Sequence, residues 1–229
     1  MSGALDGRRI AVAGAGGGLG PHVVRALAAH GAWVAAGDRS IETIEPLRDV
    51  AGDVRAVDLS TPEGAQAWAG ELGEVDGLLH LVGGWRGGET IEDLDLEGDL
   101  ALLELLLFHT VVNTTRAFAP LLKAAGDRGR FALVSSSVAS APTAGNAAYA
   151  ATKAAAEAWT LTLAQEFAEH GATANILVVR AIVTPEMRAM SPEKPYRTFT
   201  DVEEIAASLA YLCSDAARKM NGQRLSLYG

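Results

Sequence analysis

Residues 8–31 read RRIAVAGAGGGLGPHVVRALAAHG. A short apolar run through Ala13 meets a glycine cluster, and an amphipathic stretch follows that closes on His30 and Gly31. A bounded apolar run reads as a strand, helical spacing of apolar residues reads as a helix, and a glycine suits the helix end. The stretch is therefore strand, tight turn, helix. Gly14, Gly18 and Gly20 set the spacing Gly-x-x-x-Gly-x-Gly in the turn. Without side chains, the backbone N–H groups there can approach an anion at the positive end of the helix. A second apolar run, WVAAGD, ends at Asp38. A carboxylate at that point can accept hydrogen bonds from the ribose of a dinucleotide whose pyrophosphate lies on the glycine turn.

Working outward, strands and helices keep alternating. A helix is expected around 42–50, then the strand VRAVD, a helix over 62–72 and the strand DGLLHLVGG. A long helix over 100–125, the strand FALVSS, a helix carrying Tyr149 to His170, the strand TANILVV, a helix over 202–213 and a last strand RLSLY follow. This alternation predicts an α/β fold, a Rossmann-type doubly wound parallel sheet with helices on both faces. No linker, repeat or low-complexity tract interrupts it, so residues 1–229 are expected to form one dinucleotide-binding domain.

In YAATKAAAEAW, Tyr149 and Lys153 are four residues apart on an alanine-rich helix and so share one face. An unperturbed phenol titrates near about 10, and a neighbouring ammonium favours the phenolate, which tunes the group for proton transfer at neutral pH. Ser136 ends the strand FALVSS, thirteen residues before Tyr149, so its hydroxyl should emerge at a strand end. With four Tyr and four Lys in the chain, the pair alone can arise by chance. Its weight comes from standing beside a dinucleotide turn.

Taken together these motifs resemble the short-chain dehydrogenase/reductase family over essentially the whole chain. The resemblance implies a cofactor loop at Gly14, Gly18, Leu19 and Gly20, and a ribose-reading acid at Asp38 with Arg39 beside it. It further implies adenine contacts from Asp58 and Leu59, a cofactor floor at Gly83, and a nicotinamide-gripping segment with Ile182 and Thr184. Ser136, Tyr149 and Lys153 match the catalytic residues in order and spacing, the last two also touching the cofactor. The implied activity is hydride transfer between NAD, with NADP possible, and a small carbonyl or alcohol. Asp38 would repel a 2′-phosphate, whereas Arg39 could turn toward one.

Several positions depart from that pattern. Ala13 replaces a threonine, HLVG at 80–83 replaces Asn-Asn-Ala-Gly, and Val179 and Arg180 replace Pro-Gly. Leu107 stands where the family carries an asparagine that helps feed protons to the lysine, leaving His109, Thr110 or Asn113 as candidates for a substitute relay. The segment 185–200 corresponds to the family's substrate lid, with Met187 a candidate contact alongside Trp85. GGWRGG at 83–88 resembles the dihydropteridine reductase branch, which makes an NADH-dependent pterin reductase one alternative, although that branch lacks the serine. A dinucleotide-binding sensor with weak turnover is the other.

Composition excludes further classes. A net charge of −9 with singly scattered basic residues argues against a nucleic-acid partner. No run of 18 uncharged apolar residues and no apolar core near the N-terminus points to a membrane or an export signal, so a cytoplasmic protein is expected. Cys213 is the sole cysteine and the five histidines lack ligand spacing, so neither a disulfide nor a metal is expected. The helix LALLELLLFHTVVNTTRAFAPLL is apolar on nearly every side, which predicts a homodimer or homotetramer.

Overall fold

A computed structural model describes residues 3–228. Seven strands form one parallel sheet: β1 (Arg9–Ala13), β2 (Trp33–Asp38), β3 (Asp53–Ala56), β4 (Gly77–His80), β5 (Arg130–Ser136), β6 (Thr173–Val179) and, at one edge, the ninth strand in chain order (Arg224–Ser226). Two short strands precede that last one, β7 (Ala181–Val183) and β8 (Phe199–Asp201), and pair with each other, so the edge strand is β9. The spatial order is β3-β2-β1-β4-β5-β6-β9, all parallel. It reverses between β1 and β4, and a crevice opens beyond the carboxyl ends of strands at such a reversal.

The inner strands β1, β2, β4, β5 and β6 are buried on both faces because their alternate residues feed two cores. Ile10 and Val12 of β1 pack with α1 (Gly20–Ala29), α2 (Ile41–Ile44) and α8 (Val202–Cys213), through Val24, Leu27, Ile44, Ile205 and Leu209. Ala11 and Ala13 face the other side, with α3 (Pro62–Leu72), α5 (Thr110–Ala124) and α6 (Ala147–Ala168), through Trp68, Phe118, Leu163 and Phe167. Two shorter helices complete the set, α4 (Ala101–Glu104) and α7 (Pro185–Met190).

Two expected helices differ. The one over 42–50 ends at Ile44 and continues only as a tight turn, Glu45–Leu47, since Pro46 has no N–H to donate and its ring obstructs the preceding turn. The long helix is helical from Leu96 to Ala124, but wide π-type turns at Leu96–Leu100 and Leu105–His109 flank α4. By length and composition it could cross a bilayer. Its inner side nevertheless buries Thr110, Asn113, Thr114 and Thr115 while α5 packs on β4 and α3.

Candidate active site

The turn after β1 is built so that backbone comes close to backbone. Gly14 has φ +84°, and a methyl there would stand 2.6 Å from the Val82 nitrogen; at Gly20 it would stand 2.2 Å from the Ala15 oxygen. Gly18 is different. Its nearest neighbour would be the Thr184 methyl at 4.0 Å, so the missing side chain leaves open space instead of relieving a clash. No side chain caps the start of α1 and its first turn carries no acid; the N–H groups of Gly14, Gly17 and Gly20 donate to backbone carbonyls, whereas those of Gly18 and Leu19 are left for an anion.

That space belongs to a cleft of about 690 Å³. Gly14, Gly18, Leu19 and Gly20 form one wall, Gly83 and Trp85 another, and Ser136, Tyr149, Lys153 and Ile182 the floor and far side. An adjoining hollow of about 280 Å³ shares Gly14 and Gly83 and adds Asp38, Arg39, Asp58 and Leu59. The two make a continuous trough across the carboxyl ends of the strands. In it lie all the residues expected from sequence to bind or act except two.

Thr184 and Met187 are those exceptions. The Thr184 hydroxyl caps α7 by accepting from the Met187 N–H at 3.2 Å, so it presents its methyl toward the glycine turn. Met187 is not at the cleft wall; its carbonyl accepts from the Tyr196 hydroxyl at 2.7 Å. The lid is held to itself in this way, with Arg188 bonded to Asp201 at 3.0 and 3.1 Å and Tyr196 edge-on to Phe199. The segment thus holds Met187, the contact expected from sequence, through its backbone and away from the cleft lining.

At the narrow end, Asp38 accepts from the Gly16 N–H at 2.9 Å, which ties the end of β2 to the glycine turn. Hydrogen bonds from the Ser60 hydroxyl and amide hold Asp58 below the usual carboxylate range, and the charge of Arg39 adds to this. Arg39 is thus already attracted to a carboxylate of the chain.

At the wide end, Ser136 is the last residue of β5, and Tyr149 lies in the first turn of α6 with Lys153 one turn on. The pairing differs from the expectation. Lys153 donates to the Val134 carbonyl at 3.0 Å and stands 6.0 Å from the centre of the Tyr149 ring. Burial lifts the Tyr149 phenol above its ordinary range, while the Ser136 hydroxyl pulls it back. Shared helical spacing put both groups on one face but did not bring the ammonium onto the phenol oxygen. Burial lowers Lys153 to about 8, opposed by the charge of Glu157.

Glu157 is one of the residues sequence reading passed over. It is buried one turn beyond Lys153 and accepts from Ser135 at 2.6 Å and from Arg224 of β9 at 2.6 and 3.2 Å. An acid four residues after Lys153 on the inward face of the helix was the available signal. His80 is another. Fully buried, it meets Thr110 through Nε2 and Thr114 through Nδ1, each at 3.1 Å, and so bridges β4 to α5 where an asparagine was expected. Burial, then the charge of Lys153, pushes it down to about 3. It is a neutral structural histidine.

None of the substitute relay groups faces Tyr149. Thr110 donates to the Leu106 carbonyl, Asn113 to the Leu59 carbonyl, and His109 is exposed. Leu107 is buried with Leu103 and Ala148 in a small cluster against which Tyr149 packs. Trp85 stands at the mouth of the cleft, 56% exposed, with Nε1 donating to Asn146 at 3.0 Å. Among the described residues no group of His, Cys, Asp and Glu could hold a metal. Cys213 is buried and pushed up to about 12, an inert thiol.

Residues 14–229 match the sequence profile of the family described as enoyl-(acyl carrier protein) reductase. The D-threitol dehydrogenase of Mycolicibacterium smegmatis is 29% identical over 98% of this chain and 93% of its own. A solved short-chain dehydrogenase/reductase family protein superposes with a TM-score of 0.85 at 25% identity, covering 99% and 97% of the two chains. The gluconate 5-dehydrogenase of Burkholderia cenocepacia, solved with NADP and tartrate, gives 0.86 at 25% identity over 98% and 95%.

Proposed function

The chain belongs to the short-chain dehydrogenase/reductase family of NAD(P)-dependent oxidoreductases, and from that premise we propose that it reduces a small carbonyl compound with Tyr149 as the acid. One observation carries this reading: Ser136, Tyr149 and Lys153 line the same cleft as the glycine turn at the start of α1. The residues fit a nicotinamide dinucleotide. The N–H groups of Gly18 and Leu19 and the open space over Gly18 suit its pyrophosphate, Asp38 and Asp58 suit its adenosine, and Ile182 and Lys153 border the wider end. When bound, the cofactor supplies the hydride.

The side chains then divide the remaining work. Ser136 donates a hydrogen bond to the carbonyl oxygen, and Tyr149 gives its proton to the alkoxide that forms. A phenol raised by burial is protonated at neutral pH, which favours the reducing direction. Lys153, charged below about 8 and 6.0 Å from the centre of the Tyr149 ring, supports the phenolate left behind through its charge across that distance. The two carboxylates at the narrow end, with Arg39 drawn toward one of them, favour NAD over NADP.

Trp85 supports a second reading, a flat pterin ring reduced at the same site, because its indole borders the cleft mouth. The outward side of the wide turn before α5 and of α6, where Phe108 and half-exposed Trp159 meet edge-on at 6.1 Å, is where a second copy would pack in a homodimer or homotetramer. A panel of ketones, aldehydes and quinonoid dihydropterin with NADH and NADPH, followed by nicotinamide absorbance, tests the proposal. Turnover of the pterin alone would favour the second reading, and turnover of nothing would sink both.

A further inference from the structure

Charge in the trough is sorted by end. The adenosine end has two carboxylates and Arg39. The walls of the larger cleft have no acidic side chain and two cations, Lys153 and Arg180. Lys153 is buried with its ammonium bonded to the Val134 carbonyl. Arg180 is exposed and stands just past β6, on the side of the sheet where strand ends open onto ligands.

Among the described residues Arg180 has no carboxylate partner. Arg188 of α7 and Arg224 of β9 are each paired with one. What Arg180 does have is the Tyr228 ring, 5.2 Å from its guanidinium carbon. An aromatic partner restrains the guanidinium without consuming its N–H edge, which remains available to a planar anion. In a chain of net charge −9, a cleft lined by cations alone is a local reversal that draws in anions the rest of the surface repels.

We propose that Arg180 is an anion-binding residue of this cleft and that the substrate is a small oxo acid or its hydroxy acid. The carboxylate docks on the guanidinium in a paired N–H to oxygen contact, while the carbonyl or hydroxyl carbon lies toward Ser136 and Tyr149. The assignment deepens the oxidoreductase reading and rests on it for the reaction, though not for the binding.

The test therefore has two arms. In the first, wild type and Arg180→Met are assayed with NADH on small oxo acids and on the methyl esters of the same acids. The acids should exceed their esters in kcat/KM by about 10²-fold in wild type, and Arg180→Met should erase that preference while leaving the esters within about threefold. Equal use of acids and esters by wild type would overturn the proposal, as would an equal loss on both in a variant whose melting temperature is unchanged. In the second arm, tartrate binding is measured by calorimetry on both proteins in the presence of NAD, with no turnover needed. Binding weakened at least tenfold by Arg180→Met supports the anion site even if no compound is reduced, an outcome that would remove only the oxidoreductase reading. Tartrate affinity unaffected by the substitution, or no binding to wild type, overturns the anion site itself.

Discussion

His80 makes stability at acid pH a test of the buried bridge between β4 and α5. Its imidazole has an ordinary value of 6.5 and is pushed down to about 3 in the folded chain. As pH falls below 6.5 the unfolded chain takes up a proton that the native chain refuses until about 3, so stability is fully present above that window and is lost on acidification through it. The full difference is worth up to about 5 kcal/mol at roughly 1.36 kcal/mol per pKa unit. At pH 5 the linkage relation gives a loss of about 2 kcal/mol from this one ring. Carboxylates also titrate there, so the quantity to measure is the difference between wild type and His80→Asn. The variant should be less stable at pH 7 by about 1–2 kcal/mol, having lost one of two bridging bonds and some packing. Urea unfolding at pH 7, 6 and 5 should show the two proteins converging, with wild type losing about 2 kcal/mol more than the variant by pH 5. A gap that stays constant over that range would refute the neutral, doubly bonded histidine.

Other outcomes follow from the trough. Tyr149→Phe keeps the ring but removes the transferable proton, so turnover on a verified substrate should fall by about 10² or more while NADH affinity by fluorescence titration stays near wild type; unchanged turnover would assign the acid elsewhere. NADH should bind more tightly than NADPH, and Asp38→Ala should narrow the gap by easing repulsion of the 2′-phosphate; a wild type preferring NADPH would sink the cofactor assignment. Leu107→Asn places an amide among Leu103, Ala148 and Tyr149, so it should cost about 1–3 kcal/mol in stability and leave kcat little changed. A faster and equally stable variant would show instead that the missing asparagine limits wild-type turnover.

How much of this the sequence carried depends on the range of the interaction concerned. The turn at 14–20, Asp38 and the element order are local patterns of apolar spacing and glycine, and the fold follows them. Pro46 was an equally local signal, and it shortened a helix that propensity alone would have extended. Partnerships across the sheet had no such signature. His80 finds Thr110 and Thr114 at 30 and 34 residues' distance, and Glu157 finds Arg224 at 67. Each joins elements whose juxtaposition exists only once the sheet has formed. Tyr149 and Lys153 show the limit within a single helix: spacing fixed their common face, but the carbonyl of Val134 on β5 decided where the ammonium went.

The departures from the family pattern bear on each other through charge. A protonated histidine at position 80 would add a second buried cation beside Lys153, and the two would raise each other's cost, since like charges in a dry interior interact far more strongly than in water. Thr110 gives its proton to the Leu106 carbonyl and accepts from Nε2–H, and Thr114 satisfies Nδ1 of a neutral imidazole when its hydroxyl turns from the Thr110 carbonyl to the ring. Glu157, fixed by Ser135 and Arg224, then supplies the single counter-charge that a lone buried ammonium needs to stay protonated near neutrality. The result is one cation and one neutral phenol at the floor of the cleft, the protonation state that the proposed reduction requires. Leu107, in place of the asparagine that the resemblance implies, would thus remove a route for protons without disturbing the groups that would exchange them, and on electrostatic grounds the proposed turnover suits the chain better than passive binding of a dinucleotide.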